Sequence, residues 1–444
     1  MVRRYSRFTS LAVSGCLLVL LAACGPFGSA DAGPTPTAST SGATAIPTTR
    51  GATSTPTTAP MPATQTACPG AGARAAVFAP LAAGSHQNIV YLFNQGGTSG
   101  SAEIKRYDAS TGKKVIIVDV PNINIPYAQI SPDGQWVLFT TPAGMAGERA
   151  LQLVRMDGQG LQTLYCADNL GGFEWSPDQK TVVFTVGDQI GNSAVDLFDL
   201  ATGHLQVELV EPATAGIGAI PVTWLDETHI AMKSVVRGRI DGPPPQSLSV
   251  LDTAKGAHQQ LSDLIKVFDS SGPCLSFDSS VDQAQLFVST CHVTGGPGVS
   301  PTQQGPSTII AEPALGGPQT TVYTTPTLAI TTVRVISRTT LLLLIQNLTG
   351  DTSHNGLWKM NLDGTGLTRL TTAGTGQGYY LNATSQFPWS NVSRDGRLYA
   401  LEIGSGSAPT QALLIGSLTG AGASPFATVS ITVGSVEIVG WTTM

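Results

Sequence analysis

A recurring hairpin constrains the fold of this chain more than any other feature. In residues 128–140, an apolar strand runs into a Ser-Pro-Asp-Gly turn and a second apolar strand leaves it. Pro132 holds φ near the value that the second position of a turn requires, and Asp133 and Gly134 tolerate the tight reversal that follows. The flanking residues are aliphatic, aromatic or β-branched, which is typical of half-buried strands. One such hairpin is only a good turn, so its repetition decides the fold.

The same turn recurs at intervals of roughly fifty residues, which is the signature of a circular array of small sheets. Clear copies contain Pro177 with Asp178, and Asp395 with Gly396; degenerate copies occupy 224–227, 277–280 and 336–339.

The spacing of the inner strands gives the number of blades. The last residues of the inner strands are taken as Ile130, Trp175, Trp224, Phe277, Ile336, Val392 and Trp441. Their spacings of 45, 49, 53, 59, 56 and 49 residues suit four-stranded blades with loops. The sequence therefore predicts an all-β fold, a β-propeller with seven four-stranded blades. Six or eight blades stay open as alternatives, because the repeats between 263 and 385 are degenerate.

The two ends of the repeat region complement each other. Residues 88–93 and 103–107 have the pattern of strands, yet no inner strand precedes them. Residues 436–441 have the pattern of an inner strand with no further blade after it. We therefore expect the C-terminal strand to complete the first blade, which would hide both open sheet edges.

In these repeats, the chain resembles the TolB-type propellers with WD40-like SPDG repeats over about residues 86–444. The resemblance implies partners in envelope assembly or transport. TolB itself carries a second, amino-terminal domain, and in this chain that place holds only a segment rich in Thr, Pro and Ala. Since propeller scaffolds host unrelated functions, the resemblance speaks to the scaffold and not to a ligand.

Residues 1–23 have the pattern of an export signal. Arg3, Arg4 and Arg7 precede an apolar stretch at 11–21 that is short for a membrane span. The stretch ends in Leu-Ala-Ala-Cys-Gly, which resembles the lipobox of bacterial lipoproteins. The resemblance implies that Cys24 is lipidated and becomes the first residue of the mature chain. An ordinary secretory signal and a short anchor helix are the alternatives.

The next segment, residues 24–75, is predicted to be a disordered tether, and residues 76–444 the propeller domain. Residues 34–67 consist almost wholly of Thr, Pro, Ala, Ser and Gly, too few apolar groups to offset the entropy of ordering. We therefore expect an exported protein, anchored by lipid to the outer face of the cytoplasmic membrane, or periplasmic or at the outer membrane where the envelope has one.

The charge of the chain restricts its partners. Removing residues 1–23 removes three arginines and no acid, so the formal net charge falls from −6 to −9. An acidic chain with few basic residues argues against nucleic acid as a partner. It also argues against electrostatic adhesion to anionic lipid, so acyl chains must hold the protein to the membrane.

Four cysteines remain beyond Cys16 and Cys24, an even number that suggests disulfides in an exported chain. Cys274 and Cys291 are expected on consecutive strands with the turn centred near Asp282, so they should stand opposite each other, where antiparallel partners come close enough to bridge. Cys68 and Cys166 then pair by elimination, which would staple the end of the tether to the second blade. A metal or redox site is the alternative, but no Cys-x-x-Cys spacing occurs.

Catalytic motifs are missing from the sequence. It contains no Gly-x-Ser-x-Gly elbow, no His-Glu-x-x-His pair, no P-loop and no dinucleotide-binding glycine pattern. Its histidines are scattered, so we expect neither a metal nor a cofactor. The turn aspartates are expected to accept local backbone hydrogen bonds. Glu174 and Glu437 are the acids that the inner strands offer to a central channel, and two acids do not specify a site.

Long loops are expected to share the face opposite the short turns, and long loops on a rigid scaffold are where binding usually resides. These loops are 95–103, 236–246, 292–307, 347–355 and 372–386. The candidate binding residues on them are Arg237, Arg239, Asp241, His292, Asp351, His354, Tyr379 and Tyr380. The tyrosine pair is the most suggestive, because aromatic side chains give large contact area at modest entropic cost.

The sequence favours a non-catalytic binding platform for a protein, a peptide or an envelope polymer. A solute- or glycan-binding lipoprotein is the first alternative, and it predicts a pocket at the channel mouth with aromatic rims. A propeller enzyme of the lyase or lactonase kind is the second alternative, and it predicts convergent acids or a metal in the channel.

Overall fold

Seven separate four-stranded antiparallel sheets make up the fold, and almost every sheet is built from consecutive strands. The structure is a computed structural model. It describes residues 67–96, 100–144, 147–187, 192–212, 217–236, 246–270, 274–294, 302–347, 351–371, 378–381, 387–404, 409–420 and 422–444.

Each blade is ordered from an inner strand to an outer strand. Blade 1 contains β28 (Gly434–Thr442), β1 (Asn88–Gln95), β2 (Ala102–Asp108) and β3 (Lys114–Val120). Blade 2 contains β4 (Tyr127–Ile130), β5 (Trp136–Pro142), β6 (Glu148–Arg155) and β7 (Gln162–Asp168). Blade 3 contains β8 (Gly171–Trp175), β9 (Thr181–Gly187), β10 (Ser193–Asp199) and β11 (Leu205–Glu211). Blade 4 contains β12 (Ile217–Trp224), β13 (His229–Val236), β14 (Gln246–Asp252) and β15 (Ile265–Ser270).

The remaining three blades follow the same order. Blade 5 contains β16 (Cys274–Ser279), β17 (Gln285–Thr294), β18 (Thr302–Pro313) and β19 (Thr320–Thr325). Blade 6 contains β20 (Ile330–Val335), β21 (Thr340–Ile345), β22 (Gly356–Asn361) and β23 (Thr368–Arg369). Blade 7 contains β24 (Gly378–Tyr380), β25 (Leu398–Gly404), β26 (Thr410–Ser417) and β27 (Ala423–Ser430). Short 3-10 helices occupy Thr253–Lys255, Leu261–Asp263 and Pro388–Ser390. Within these described ranges, no helix is long and apolar enough to cross a lipid bilayer.

The sheets form a ring with the first strand of each innermost. The inner strands β28 and β4 lie against each other, as do β4 and β8, β8 and β12, and β16 and β20. The hydrophobic core lies between neighbouring blades. One cluster, for example, joins Val90 and Ile104 of blade 1 to Ile130 and Phe139 of blade 2. The predicted seven-bladed β-propeller is therefore confirmed.

The closure of the ring is also the one predicted. Strand β28 pairs antiparallel with β1, and the register places Trp441 opposite Ile89 and Val436 opposite Phe93. Blade 1 thus combines the last strand of the chain with the first three, and β28 covers the edge that β1 would otherwise expose.

Arg394 reinforces this closure from the turn of blade 7. Its Nε donates to the Trp441 carbonyl oxygen at 2.9 Å, and its Nη1 donates to the Pro132 carbonyl oxygen at 2.7 Å. Its guanidinium also lies 4.2 Å from the centroid of the Trp389 ring. Burial lowers the pKa of Arg394 to about 10, so the group stays charged at neutral pH. One side chain therefore links blades 7, 1 and 2.

The short turns share a side-chain device built on a serine and an aspartate. The serine Oγ donates to the aspartate Oδ1 at 2.6 Å in Ser131–Asp133, 2.7 Å in Ser176–Asp178 and 2.6 Å in Ser393–Asp395. Each serine Oγ also accepts a backbone N–H from the start of the following strand. These aspartates therefore serve the turns, as the sequence indicated. Pro132, Gly134, Pro177 and Gly396 complete the same turns, and Gly134 and Gly396 have the positive φ that the fourth position needs.

Blade 5 departs from the predicted repeat. Its turn lies at 280–283 and not at 277–280, with Ser280 Oγ donating to Asp282 Oδ1 at 2.6 Å. Strand β16 consequently continues to Ser279, and Asp278 is a buried strand residue. The repeat alignment therefore set this turn too early along the chain, whereas the turn expected near Asp282 between Cys274 and Cys291 is confirmed.

Blade 7 is less regular than the repeat predicts. Its inner strand β24 ends at Tyr380, and Val392 contributes only an isolated bridge to Tyr399. The Tyr379–Tyr380 pair therefore lies on a strand, whereas the sequence placed it in a long loop.

Residues 67–87 precede the first strand and run along blades 3 and 2, and then reach blade 1, where the Gly84 N–H donates to the Thr443 carbonyl at 2.6 Å. The Ala73 N–H donates to the Leu164 carbonyl at 2.8 Å, and the Ala75 N–H donates to the Leu200 carbonyl at 2.7 Å. A disulfide joins Cys68 to Cys166 on β7, which is the pairing that the sequence predicts. The described end of the predicted tether, residues 67–75, is thus held on the propeller.

The other predicted disulfide has the expected register. Cys274 stands directly opposite Cys291 in the pairing of β16 with β17. Cys291 is buried and disulfide-bonded. The side chain of Cys274 lies outside the described residues, so the bond between these two cysteines stays a prediction.

We predict that Arg394→Ala lowers the free energy of unfolding by about 2–3 kcal/mol, because it leaves the Trp441 and Pro132 carbonyls without their charged donor. Arg397→Ala is the matched control, since Arg397 lies three residues away with an exposed side chain. Chemical denaturation of the two variants checks the prediction. Equal stability of both variants would show that Arg394 does not hold the ring closed.

Candidate functional site: the central channel

A cavity of about 640 Å³ lies on the axis of the ring and is lined from six of the seven blades. This volume is within the range of sites for small organic ligands. The polar lining residues include Tyr127, Arg149, Asn169, Glu174, Thr185, Lys233, Ser276, Thr331, Thr332 and Arg334. The apolar lining residues include Phe173, Pro221, Val222, Leu275, Phe277 and Leu381.

The cavity lies toward the face of the long loops. Its lining takes the first residue of β4, Tyr127, and the first four residues of β8, 171–174. The blade-to-blade connections enter the inner strands at these ends, and the short Ser-x-Asp turns leave at the opposite ends. The face that the sequence selected for binding is therefore the face on which this cavity lies.

Three basic side chains line the described part of the cavity, and they come from three blades. Arg149 lies on β6 of blade 2, Lys233 on β13 of blade 4 and Arg334 on β20 of blade 6. The guanidinium carbon of Arg149 lies 5.7 Å from the centroid of the Tyr127 ring, and its Nη1 donates to the Leu170 carbonyl at 3.1 Å. These contacts hold the Arg149 cation at the cavity wall.

Arg334 is the most deeply buried of the three, with 6% of its surface exposed. Its Nη1 donates to the carbonyl oxygens of Val333 at 3.2 Å and Phe277 at 3.3 Å. Burial lowers the pKa of Arg334, while the nearby carboxyls of Asp278 and Glu174 act in the opposite direction. The guanidinium is therefore a desolvated cation whose nearest acids stand on other blades.

Lys233 shares this environment. Its Nζ donates to the Leu275 carbonyl at 3.4 Å, which is a long hydrogen bond. Burial lowers the pKa of Lys233, and the positive charge of Arg334 lowers it further. Two like charges that line one cavity raise its positive potential.

Glu174 is the one acid among the lining residues of the described chain. It is 5% exposed, and its Oε2 accepts a hydrogen bond from Gln129 Nε2 at 2.8 Å. Gln129 is itself held because its Oε1 accepts the Trp175 N–H at 3.1 Å. Burial raises the pKa of Glu174 well above its ordinary value, more than the Gln129 bond and Arg334 lower it. Glu174 is therefore a weak counter-charge to the three cations.

Asp278 lies behind the cavity wall on β16 and is 1% exposed. Its Oδ2 accepts the Val335 N–H at 2.8 Å, and its Oδ1 accepts the Ser279 N–H at 2.9 Å. Burial raises its pKa to about 7, against the opposing effect of Arg334. Asp278 therefore titrates near neutral pH.

The candidate residues predicted from the sequence surround the cavity without lining it. Arg237, Arg239 and Asp241 lie outside the described residues. His292 is exposed and lies on β17, so it is not in a loop as predicted. Asp351 and His354 are exposed and contact each other, with 3.1 Å between Oδ2 and Nδ1. Tyr380 is 47% exposed and precedes the lining residue Leu381, while Tyr379 is described only as part of the backbone of β24.

The sequence pointed to Glu174 but missed Lys233 and Arg334. A usable signal existed for Arg334, which interrupts the otherwise apolar and β-branched inner strand Ile330–Val335. A cation at such a position cannot reach bulk solvent easily, so it marks a polar channel. For Lys233 no such signal exists, because it lies on a second strand near residues of mixed polarity.

Glu437, the other acid expected in the channel, belongs to a different pair. Its neighbour is Glu402 on β25, whose Oε1 accepts the Ile438 N–H at 2.8 Å. Burial raises the pKa of Glu402 to about 8, and the charge of Glu437 raises it as well. Burial raises the pKa of Glu437 to about 7. This pair lies at the junction of blades 7 and 1, and neither acid lines the cavity.

The described residues offer no ready metal site. No group of three or more His, Cys, Asp or Glu side chains in the described ranges is arranged to hold a metal ion.

Comparisons with known proteins agree with the fold and add no function. No family model matches the chain, and no curated protein matches it either. TolB from Acinetobacter baumannii is 14% identical, with a TM-score of 0.40, and the match covers 64% of this chain and 63% of that one. The β-propeller domain of the Trilobed protease from Pyrococcus furiosus is 10% identical, with a TM-score of 0.49 and coverages of 77% and 94%. Oligopeptidase B from Leishmania major is 14% identical, with a TM-score of 0.48, and the chain spans 49% of its length. The likeness concerns the fold alone.

We predict that Glu402→Gln stabilises the protein at about pH 8 and changes little at about pH 5. The folded pKa of Glu402 is about 8, above the ordinary 4.5, so the folded state binds the proton more tightly. Stability from this group is present below the ordinary pKa and is lost as the pH rises toward the folded pKa. The glutamine keeps an oxygen for the Ile438 N–H and removes the titration.

Denaturation midpoints of both proteins across this pH range provide the measurement. Glu227→Gln is the control, since Glu227 is exposed on the turn of blade 4 and its replacement should leave the profile unchanged. Parallel profiles for the wild type and Glu402→Gln would contradict the prediction.

Proposed function

We propose that this protein is an exported, lipid-anchored binding protein whose central channel holds an organic ligand through an anionic group. The observation that carries the proposal is the convergence of Arg149, Lys233 and Arg334 on one cavity of about 640 Å³.

The electrostatics of the cavity support an anion. Lys233 and Arg334 are both buried to a large extent and repel each other, and Glu174 offsets little of their charge. An anion placed between the cations would relieve the repulsion and gain charge-assisted hydrogen bonds. A cation would be repelled by the same positive potential.

The apolar walls support an organic ligand. Phe173, Leu275 and Phe277 line the same cavity as the cations. Binding sites for organic molecules typically combine such walls with a few polar groups that fix the orientation. The proposal therefore follows the solute-binding alternative from the sequence, and Tyr127 supplies an aromatic rim.

A peptide or protein partner is a second candidate, favoured by Tyr380. This side chain is 47% exposed and lies one residue from the cavity wall at Leu381. A chain whose terminal carboxylate entered the cavity would pack its preceding residues against this face. In that form the proposal includes the binding platform for an envelope protein, peptide or polymer.

The location outside the cytoplasm is supported by the Cys68–Cys166 disulfide, because disulfides persist in oxidising compartments. The anchor itself is proposed from the sequence around Cys24, which lies outside the described residues. A lipid anchor would retain the propeller at a membrane surface, where a binding protein can serve a transporter or sensor.

We predict that the protein binds benzenesulfonate with a dissociation constant below about 1 mM, and that Lys233→Met weakens this binding about tenfold or more. The sulfonate supplies the anion and the ring occupies the apolar wall. Benzenesulfonamide, the neutral analogue, should not bind measurably. Isothermal titration calorimetry of the mature protein provides the affinities.

Lys180→Met is the matched control, because Lys180 is exposed on the short-turn face and pairs with Asp178. Lys180→Met should bind benzenesulfonate with the affinity of the wild type. Equal binding of the sulfonate and the sulfonamide, or equal affinity of the two lysine variants, would rule out the anion site.

We also predict that Cys24→Ala abolishes lipid attachment, because the thiol is the acceptor of the acyl group in a lipobox. Cells fed an alkyne-tagged fatty acid should label the wild-type protein and the Cys16→Ala control but not Cys24→Ala. Labelling of Cys24→Ala would remove the anchor from the proposal.

A further inference from the structure

We propose that binding of an anion in the channel is coupled to proton uptake by the carboxyls of Asp278 and Glu174, so that the affinity falls as the pH rises. This inference rests on the proposed function, because it concerns the regulation of the same cavity.

Hydrogen bonds join the strand of the cation to the strand of one acid: Arg334 Nη1 donates to the Phe277 carbonyl at 3.3 Å, and Asp278 Oδ2 accepts the Val335 N–H at 2.8 Å. Arg334 lines the cavity from blade 6, Asp278 approaches it from blade 5, and Glu174 approaches it from blade 3. All three side chains are at least nine-tenths buried. Each acid acts electrostatically on Arg334, and Asp278 also acts on Glu174. The three groups therefore titrate as one network.

The acids cannot easily move away when a ligand arrives. Asp278 is fixed by the N–H groups of Ser279 and Val335, the latter directly after Arg334 in the chain. Glu174 is fixed by the amide of Gln129. A ligand anion and these carboxylates must therefore compete for Arg334 from fixed positions.

Protonation of the carboxylates ends their competition with the ligand anion for Arg334. In a site of low dielectric constant, an added negative charge disfavours ionised carboxylates nearby and raises their pKa values. Burial already raises the pKa of Asp278 to about 7 and that of Glu174 well above its ordinary value. An incoming anion should therefore shift protons onto these carboxyls at neutral pH. The proton comes from solvent, and no bond in the ligand changes.

The charged groups that face this network come from each packed element. Arg334 on β20 lowers the pKa of Asp278, and Asp278 raises that of Glu174 on β8. Arg334 also lowers the pKa of Lys233 on β13. The cations favour ionisation of the acids, and the bound anion cancels that effect. By linkage, a ligand that causes proton uptake binds more weakly as the pH rises.

The test uses benzenesulfonate, which stays ionised over the whole range, so any proton must come to the protein. Calorimetry of the mature protein at about pH 7 in two buffers that differ in ionisation enthalpy gives the number of protons taken up. We expect uptake of a measurable fraction of a proton. The affinity should fall between about pH 6 and about pH 8, with a limit of about tenfold per pH unit for each proton coupled.

Asp278→Asn separates the coupling from binding. The variant should still bind benzenesulfonate, take up fewer protons and show a flatter pH profile. Glu174→Gln removes a lining acid, so it should bind the sulfonate more tightly at about pH 8 and take up fewer protons; it provides the test if Asp278→Asn does not give the folded spectrum by circular dichroism. Glu227→Gln, at an exposed position, should behave as the wild type.

The two proposals fail in different ways. Binding that depends on Lys233 but involves no proton uptake, or variants with the wild-type proton number, would overturn the coupling and leave the anion site intact. Absence of binding at every pH would overturn the anion site, and the coupling with it.

Discussion

The pairing of β28 with β1 is the constraint on which the rest of this structure depends. Each blade buries its apolar faces against two neighbours, so a gap in the ring would expose the cores of both blades beside it. The register that sets Trp441 opposite Ile89 closes this gap. Arg394 adds a second tie, because its charged donors reach carbonyls that belong to blades 1 and 2. Residues 68–75 reinforce blades 2 and 3 from outside, through the disulfide to Cys166 and backbone hydrogen bonds.

A closed ring makes two unlike faces from one repeat. On one face the turns are short, and their aspartates are committed to serine hydroxyls and backbone N–H groups. These turn aspartates therefore have a structural role. The other face carries the connections from each blade to the next, and the inner strands begin there. The cavity lies on this second face, and its lining side chains do not belong to the Ser-x-Asp turns.

The buried positive charges that line the central cavity are not needed to hold the fold together. Burying Lys233 and Arg334 opposes folding, because each cation loses hydration and the two repel each other. Asp278 and Glu174 reduce this cost, yet burial favours the neutral form of both acids. The imbalance leaves positive potential in an otherwise apolar cavity. A ligand anion would restore the balance, which is why the cavity is a better candidate than the exposed loop residues.

The sequence by itself determined the turns, the seven blades, the closing strand and the pairing of Cys68 with Cys166, because turn chemistry, strand period and repeat spacing are local or additive properties. Its repeat alignment set the blade 5 turn too early, although the cysteine spacing placed that turn near Asp282, and it misjudged the strand that carries Tyr380. The tertiary structure alone decided the cavity. Lys233 and Arg334 are 101 residues apart in the chain. The alternation of side chains along a strand tells which face of the sheet each residue occupies. Only the closed ring determines which residues of other blades that residue meets.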